Sequence, residues 1–235
     1  MTQPVWHEFA SPDTLADALA GTVAEVLENA VQTRGHASLA VSGGRTPVLF
    51  FDRLSRCPIP WRKIIVTLVD ERFVPGDSPR SNARLVTRHL LQNEAARAGF
   101  IGLYSQAQNT ESAAREASAA LAALPMPLDV AVLGMGTDRH TASFFPDAAD
   151  IDTLLDAADG QAVRSVNARS AGEPRLTLSM KVLASARYLM VHIEGNDKKE
   201  VLEEALTVPP GPATPIGAVL AAAENPAHIY WAPTR

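Results

Sequence analysis

A short stretch near the middle of the chain combines side chains suited to acid–base chemistry. The apolar run Val130–Leu133 is followed by two glycines, and Asp138 and His140 come within the next few residues. A buried strand that ends in glycines can turn its backbone tightly. A histidine needs an orienting partner to act as a base near neutral pH, and a nearby carboxylate supplies one. We therefore predict His140 as the catalytic acid–base and Asp138 as its partner; a hydrogen-bonded structural histidine is the alternative.

A second candidate site is the segment SGGRTP, residues 42–47, which directly follows the apolar run Ala37–Val41. Two glycines leave backbone N–H groups free to surround an anion, and a helix start adds its positive dipole end. The segment is not a Walker loop, because no Gly-Lys-Ser/Thr follows. Phosphate binding is one interpretation, and an ordinary strand-to-helix turn is the other. The predicted phosphate-binding residues here are Ser42, Gly43, Gly44 and Arg45.

Further charged residues follow other predicted strands or begin a helix. Asp70 and Arg72 come after the apolar run Ile64–Val69, and Arg72 could reach the same crevice as His140. Arg175 and Lys198 each lie beside a predicted strand end or helix start. Solvated surface charge is the alternative for each of them. We predict Arg72, Arg175 and Lys198 as substrate-binding cations, and Asp70, like Asp138, as an alternative base.

Two classes of cofactor are not expected. The segment GMGTDR has Arg139 where a dinucleotide-binding fingerprint needs its third glycine, so we do not expect NAD. The His, Asp and Glu residues show no metal-ligand spacing, and the lone Cys57 excludes a cysteine cluster. We therefore predict that the protein uses neither a metal ion nor NAD.

Strand and helix patterns alternate along the chain, which predicts a doubly wound, mostly parallel α/β sheet with helices on both faces. Ser11 and Pro12 are typical of the start of a first helix. Thr46 and Pro47 are predicted to be the cap and first residue of the next helix. A further helix is predicted from Ala83 to about Ala98, capped by Ser81-Asn82 and closed by Gly99.

Size and charge limit the function classes. The chain has 235 residues, 46% of them hydrophobic, which is enough for one domain spanning residues 1–235. Its net charge of −5 does not suit a nucleic-acid-binding protein. No apolar stretch reaches the ~20 residues that span a bilayer, and the amino terminus lacks the pattern of a secretory signal. We expect a cytoplasmic monomer that acts on a small molecule, without a nucleic-acid or membrane partner.

Five motifs together resemble those of the 6-phosphogluconolactonase family, and they occur in that family's order over residues 36–206. The resemblance implies hydrolysis of 6-phosphoglucono-δ-lactone to 6-phosphogluconate in the oxidative pentose phosphate pathway, without metal or organic cofactor. It also implies the fold shared with glucosamine-6-phosphate deaminases, a Rossmann-like sheet with a small appended lobe. The motifs are SGGRTP, DERFVP with Ser81-Asn82 downstream, GMGTDRHTASFFP, EPRLTLS and GNDKKE.

The resemblance suggests a mechanism in which His140 removes a proton from the attacking water and returns one to the departing ring oxygen. Backbone N–H groups of the turn at residues 134–136 are candidate donors to the oxyanion. One residue departs from the family pattern: Arg139 stands where glycine is usual. If that glycine has positive φ, the arginine is strained by ~1 kcal/mol. We list Arg139 among the candidate substrate-binding residues, because its cation could help to hold an anion.

Two other functions remain as alternatives. A non-catalytic sugar-phosphate-binding relative would keep the anion site and lose catalysis, and Arg139 keeps this alternative open. A glucosamine-6-phosphate deaminase or isomerase would share the histidine loop. Those relatives carry a glutamate immediately before the proline of the loop, where this chain has Phe145. A phenylalanine cannot transfer a proton, which argues against deamination.

Overall fold

The computed structural model describes residues 3–158 and 160–234 of the chain. The predicted single domain over residues 1–235 therefore includes four residues, Met1, Thr2, Asp159 and Arg235, that lie outside the described part. In chain order the strands and helices are β1 (Val5–Glu8), α1 (Pro12–Arg34), β2 (Ala37–Val41), α2 (Val48–Ser55), β3 (Ile64–Leu68), β4 (Asp70–Arg72), α3 (Asn82–His89), β5 (Gly99–Ile101), α4 (Thr110–Leu121), β6 (Val130–Leu133), α5 (Ile151–Leu154), β7 (Val163–Val166), β8 (Arg175–Leu178), α6 (Met180–Ala184), β9 (Tyr188–Glu194), α7 (Asn196–Thr207), α8 (Pro215–Ala222) and β10 (His228–Ala232).

Seven of these strands form one sheet in the order β1-β10-β9-β6-β2-β3-β5, and all neighbouring pairs are parallel. Every residue of β2 and β6 is buried, so both faces of the sheet centre are covered. From β2 the chain builds the sheet outward through β3 to β5, and from β6 it builds in the other direction through β9 to β10. The prediction of a doubly wound parallel α/β fold is confirmed, and its topological switch point lies between β2 and β6. Ligands of such sheets bind beyond the carboxyl ends of the strands at this point.

A small antiparallel sheet, β4-β8-β7, adjoins the carboxyl end of β3. Val69 connects the two sheets, because its N–H donates to Val41 O and its carbonyl accepts from Leu178 N. The segment from Asp70 to Arg72, expected as a polar strand end, is itself strand β4. In its register Arg72 is paired with Arg175, so this sheet brings together two cations that are far apart in the sequence.

Helix starts were predicted better than helix ends. Ser11 caps α1 in a capping box, and Ser81 caps α3 by accepting from Arg84 N at 3.2 Å. The predicted helix over residues 83–98 is wrong in its second half. Helix α3 ends at His89, Asn93 adopts a φ of 50° at the start of a separate 3-10 helix, and Gly99 begins strand β5.

The start of α2 is also displaced from its prediction. Pro47 is the N-cap residue, and α2 begins at Val48 without a side-chain cap. Thr46, the predicted cap, therefore belongs to the loop that precedes the helix.

The amino-terminal ends of β2 and β6 are held together by Asp129, which is 2% exposed. Its carboxylate accepts from Ser38 N at 2.9 Å and from the guanidinium of Arg34 at the end of α1. Arg187 Nε lies 3.5 Å from the same carboxylate. Asp129 thus fixes the relative position of the two strands whose opposite ends form the switch point.

We expect Asp129→Asn to lower the free energy of unfolding by about 2–3 kcal/mol, because an amide N–H₂ would face the buried donor of Ser38. Asp52→Asn is the matched control, since Asp52 is an exposed partner of Arg56 at 2.8 Å. Its loss is expected to cost about 0.5 kcal/mol. Urea unfolding followed by circular dichroism measures both; equal effects would show that Asp129 has no special role in joining the strands.

Candidate active site

A cavity of about 310 Å³ opens at the switch point, beyond the carboxyl ends of β2 and β6. Its lining comes from segments spread over most of the chain, as expected for a site at the edge of a doubly wound sheet. Nine of the eleven predicted site residues line it: Ser42, Gly43, Gly44, Arg45, Asp70, Arg72, His140, Arg175 and Lys198.

The loop after β2 is bonded directly to the loop after β6. Ser42 N donates to Val132 O at 3.0 Å, and Ser42 Oγ accepts from Gly134 N at 3.2 Å. A Cβ atom at Gly43 would lie 1.9 Å from Asn82 Oδ1, so only glycine allows the loop to approach Asn82 this closely. Gly44 has a φ of 96°, which favours glycine as well. The loop therefore presents its backbone to the cavity, as a phosphate-binding loop requires.

The loop after β6 fixes the imidazole of His140 against a carboxylate. His140 Nδ1 lies 2.5 Å from Asp138 Oδ1, and the same oxygen accepts from His140 N at 3.3 Å. The turn is closed by Gly136, whose N–H donates to His140 O at 2.9 Å. Because Nδ1 faces the carboxylate, we assign its proton to Nδ1, which leaves Nε2 as the basic nitrogen. Asp138 is not among the described residues that line the cavity. A residue that orients His140 without touching the substrate does not need to line it.

Two residues that flank His140 have left-handed backbone conformations. Arg139 has a φ of 70° and Ala142 a φ of 51°. The glycine usual at position 139 would have no such strain, and an arginine there costs about 1 kcal/mol. Such strain persists only where surrounding contacts hold the backbone, as Ile216 N does by donating to Arg139 O at 3.1 Å.

The side chain of Arg139 does not support its predicted role in substrate binding. Its Nη2 lies 2.8 Å from Glu204 of helix α7, and Arg139 is not among the described residues that line the cavity. The backbone at position 139 therefore accommodates an arginine while the His140–Asp138 contact is kept. The guanidinium of Arg139 forms an ion pair with Glu204.

Asp70 is 7% exposed and sits within a network of hydrogen bonds. Its Oδ2 accepts from Ser143 Oγ at 2.6 Å, and its carbonyl accepts from Asn82 Nδ2 at 2.9 Å. Arg175 Nη1 lies 3.9 Å from Oδ2. The carboxylate thus balances the charge of Arg175 and is less available as a base than an unengaged carboxylate would be.

The guanidinium groups of the two arginines of the small sheet use only part of their hydrogen-bonding capacity within the described part of the protein. The Nε atoms of Arg72 and Arg175 are buried without a hydrogen-bond partner among the described residues. Burial lowers the pKa of Arg175, and Asp70 opposes this shift. Arg72 Nη1 donates to Asn82 Oδ1 at 3.0 Å. Incompletely paired buried guanidinium groups are expected where a ligand completes the pairing.

Several other residues that line the cavity were not identified from the sequence as site residues, among them Asn82, Phe51 and His192. Asn82 was predicted as part of a helix start and of a family motif, without a role in the site, and its backbone N–H donates to Glu71 at 2.7 Å. Glu71 is fully buried, which raises the pKa of its carboxyl. The side chain of Asn82 projects from this anchored helix start to Asp70 and Arg72. The sequence pattern identifies Asn82 as part of a helix start, but it does not show that this end of the helix reaches the cavity.

The predicted oxyanion donors are wrong in two of three positions. The N–H of Gly134 donates to Ser42 Oγ and that of Gly136 donates to His140 O, so both are used within the loops. These contacts build the site, and charge on a reacting oxygen must be met by other donors.

In the described part of the chain no group of three or more His, Cys, Asp or Glu residues is placed to hold a metal ion. None of the helices there is long and apolar enough to cross a membrane.

A doubly wound α/β fold, a glycine-rich loop with nearby cations and a histidine–carboxylate pair are together typical of an enzyme that acts on a small anionic substrate by acid–base chemistry. Residues 10–231 match the model of one family, described as glucosamine-6-phosphate isomerases/6-phosphogluconolactonase. The chain belongs to this family, and the resemblance of the five motifs is thereby confirmed.

Relatives and solved structures agree over nearly the whole chain. The chain is 55% identical to a 6-phosphogluconolactonase of Mesorhizobium japonicum over 228 residues, which covers 97% of this chain and 95% of the relative. It is 51% identical to a 6-phosphogluconolactonase of Rhizobium meliloti, with 97% and 98% covered. A crystal structure of a 6-phosphogluconolactonase from Shewanella baltica superposes with a TM-score of 0.95 at 40% identity, with 98% of each chain covered.

The His140–Asp138 contact depends on the absence of a side chain at Gly136. A Cβ atom there would lie 2.3 Å from His140 Nδ1 and 2.4 Å from Asp138 Oδ1, whereas the backbone of Gly136 has no positive φ. We expect Gly136→Ala to displace the imidazole from the carboxylate without unfolding the protein. ¹⁵N NMR of the histidine side chains should show a single fixed His140 tautomer in the parent protein and its loss in the variant.

Gly21→Ala is the control, since a Cβ on this exposed residue of α1 meets nothing within 4 Å. It should leave the His140 signals unchanged and stabilise the helix by up to about 1 kcal/mol. Unchanged His140 signals in Gly136→Ala would contradict the close packing of this loop.

Proposed function

We propose that this protein hydrolyses 6-phosphoglucono-δ-lactone to 6-phosphogluconate. The observation that carries the proposal is that the SGGR loop, Lys198 and the oriented His140 line one cavity. The loop and the cation suit a phosphate, and the histidine suits proton transfer at a carbon held within the same cavity. The names of relatives at 55% and 51% identity support the same substrate.

The proposed reaction begins with water held by His140. As the water oxygen attacks C1 of the lactone, its proton passes to Nε2 and the carbonyl electrons move to the carbonyl oxygen. Collapse of this tetrahedral intermediate breaks the bond between C1 and the ring oxygen, and His140 returns the proton to that oxygen. Asp138 holds Nδ1–H in place and stabilises the imidazolium that forms between the two steps, as a triad acid does.

The phosphate anchors the substrate far from the bond that breaks. Backbone N–H groups at Gly43 and Gly44, the hydroxyl of Ser42 and the cations Arg45 and Lys198 form the proposed phosphate site. Contacts to a remote group hold C1 in register with the base, so binding energy is used for positioning.

The arginines of the small sheet complete the proposed site. Arg72 and Arg175, with Asp70 beside them, can meet negative charge on substrate oxygens, including the oxyanion at C1. In this arrangement the Asp70 carboxylate balances part of the positive charge of the two arginines, with Arg175 Nη1 at 3.9 Å from its Oδ2 atom. Its role as an alternative base is less well supported, because Ser143 and Arg175 already engage its Oδ2 atom.

Phe145 argues against the related deaminase reaction. Its ring stacks on the imidazole of His140, with 4.5 Å between ring centroids. The guanidinium carbon of Arg175 lies over the same phenylalanine ring, 5.7 Å from its centroid. The position that carries glutamate in the deaminases is therefore an apolar support for the catalytic histidine. The intact His140–Asp138 pair likewise favours an enzyme over a non-catalytic relative.

We further propose that the working form is a cytoplasmic monomer of one domain, without a nucleic-acid partner. The cavity is built from one chain, which supports a monomer as the working form. The net charge of −5 supports the proposal that nucleic acid is not a partner. Light scattering coupled to gel filtration measures the oligomeric state.

The direct test is an assay of the purified protein with freshly made 6-phosphogluconolactone. We expect consumption well above the spontaneous rate, unchanged by EDTA, and no release of ammonia from glucosamine 6-phosphate. Deaminase activity, or lactone loss no faster than the background, would overturn the proposal.

We expect His140→Asn to lower kcat by about 10²–10⁴, because asparagine keeps hydrogen bonding but cannot transfer the proton. KM should change little, since the phosphate site is made by other residues. His36→Asn is the matched control: His36 is exposed and precedes β2, at the opposite end of the strand from the cavity. A folded His140→Asn protein with kcat within a few-fold of the parent would show that this histidine is structural.

A further inference from the structure

Asn82, the first residue of helix α3, has no role in the proposed mechanism although it lines the cavity. The residue is only 2% exposed. Burying an amide is costly unless both its oxygen and its nitrogen find hydrogen-bond partners, whereas an apolar side chain would need none. The partners of the Asn82 side chain therefore indicate what an amide does at this position.

The backbone of Asn82 is held by Glu71, which is fully buried. One oxygen of this carboxylate, Oε1, accepts from Asn82 N at 2.7 Å and from Arg72 N at 2.8 Å. The other oxygen, Oε2, accepts from Ala83 N at 2.7 Å and from Ser81 Oγ at 3.0 Å. Glu71 thus fixes the start of α3 against strand β4 through contacts that do not involve the Asn82 side chain.

The side-chain amide of Asn82 fits its neighbours in one orientation only. Nδ2 donates to Asp70 O at 2.9 Å, and Oδ1 accepts from Arg72 Nη1 at 3.0 Å. Since a guanidinium can only donate and a carbonyl can only accept, a flipped amide would lose both hydrogen bonds. Oδ1 also lies against Gly43, where a Cβ atom would come within 1.9 Å of it. The Asn82 oxygen is therefore an acceptor with a fixed position.

Arg72 is bound to the protein through one nitrogen of its guanidinium group. Nη1 donates to Asn82 Oδ1 at 3.0 Å and to Arg80 O at 2.6 Å. Both acceptors are neutral, so they orient the cation without neutralising its charge. The Nε atom, in contrast, is buried without a hydrogen-bond partner among the described residues. Because the guanidinium is planar and rigid, two acceptors on Nη1 fix the directions of its other N–H groups.

We propose that Asn82 is a positioning residue of the active site: its amide holds the guanidinium of Arg72 in the direction in which its free donors meet negative charge on the substrate. The inference rests on the proposed function, because that function assigns Arg72 to substrate oxygens. Asn82 acts through Arg72 and needs no contact with the substrate.

The competing explanation is that Asn82 only fills the space between Gly43 and Asp70. Two substitutions distinguish the explanations. Asn82→Leu keeps the branched shape of the side chain and removes both hydrogen bonds, whereas Asn82→Ala removes the shape as well. A space-filling role predicts that leucine is tolerated better than alanine. A positioning role predicts that both lose the same contact with Arg72 and the same activity.

The experiment is steady-state kinetics of the purified full chain with 6-phosphogluconolactone, corrected for spontaneous hydrolysis. Asn82→Leu and Asn82→Ala are each made alone, in an Arg72→Ala background and in a Lys198→Ala background. Asp129→Asn is the control for lost stability, because Asp129 is buried at the opposite ends of β2 and β6 from the cavity.

We expect both Asn82 variants to lower kcat/KM about tenfold to thirtyfold, since a misdirected ligand group loses its contact with the substrate. The loss should be divided between kcat and KM in the same way as that of Arg72→Ala. In the Arg72→Ala background neither variant should have a further effect, whereas in the Lys198→Ala background the loss should remain in full. Asp129→Asn should keep the kcat and KM of the parent protein.

The Nε–H signal of Arg72 in ¹⁵N NMR provides a readout that does not depend on turnover. Its absence from the spectrum of Arg72→Ala assigns the signal. We expect one sharp signal in the parent protein, because the guanidinium is held in one direction, and a broadened signal in Asn82→Leu. A space-filling role would leave the signal sharp in this variant.

Three results would overturn the inference alone: parent-like kcat/KM in Asn82→Leu, equal losses with and without Arg72, or an unchanged Nε–H signal in Asn82→Leu. If Arg72→Ala turns over too slowly for the second comparison, the NMR signal decides. Failure of the parent protein to hydrolyse the lactone above the spontaneous rate would overturn the proposed function and this inference together. The two failures are therefore distinguishable.

Discussion

The site depends on the parallel pairing of β2 with β6, two strands separated by almost ninety residues of sequence. At their carboxyl ends Ser42 contacts both Val132 and Gly134, so that the loop after one strand is bonded to the loop after the other. The anion-binding segment and the histidine segment are consequently fixed relative to each other by backbone hydrogen bonds. A small change in this pairing would move the phosphate ligands and the acid–base residue apart, and the other site residues are added around this junction.

Local strain is concentrated where the chemistry is proposed. The turn that carries His140 requires a residue without a side chain at position 136 and left-handed backbone at Arg139 and Ala142. One contact within the loop and one from outside hold it in this form: Thr141 Oγ1 donates to Gly134 O at 2.8 Å, and Ile216 N donates to Arg139 O. The rest of the fold thus stabilises a strained turn, and the turn holds the imidazole against Asp138.

Sequence patterns predicted the centre of the fold better than its margins. The apolar runs of β2 and β6 are unambiguous because both faces are buried, whereas the edge strands β1 and β5 are short and partly exposed and were not recognised. Site residues in the glycine-containing loops that directly follow the central strands, such as Ser42 and His140, could be predicted from the local sequence alone. His192 could not, because its place in the cavity depends on the neighbours of β9. The direction of the Arg139 side chain could not be predicted either, because it depends on the contact with Glu204 of helix α7.

The central claim is that one cavity holds the phosphate at the SGGR loop and C1 at His140. A crystal structure of the protein with 6-phosphogluconate tests this claim most directly. We expect the phosphate on the backbone of Gly43 and Gly44 beside Lys198, with the C1 carboxylate within about 3 Å of His140 Nε2. A phosphate bound between Arg72 and Arg175 with C1 turned away from His140 would contradict it.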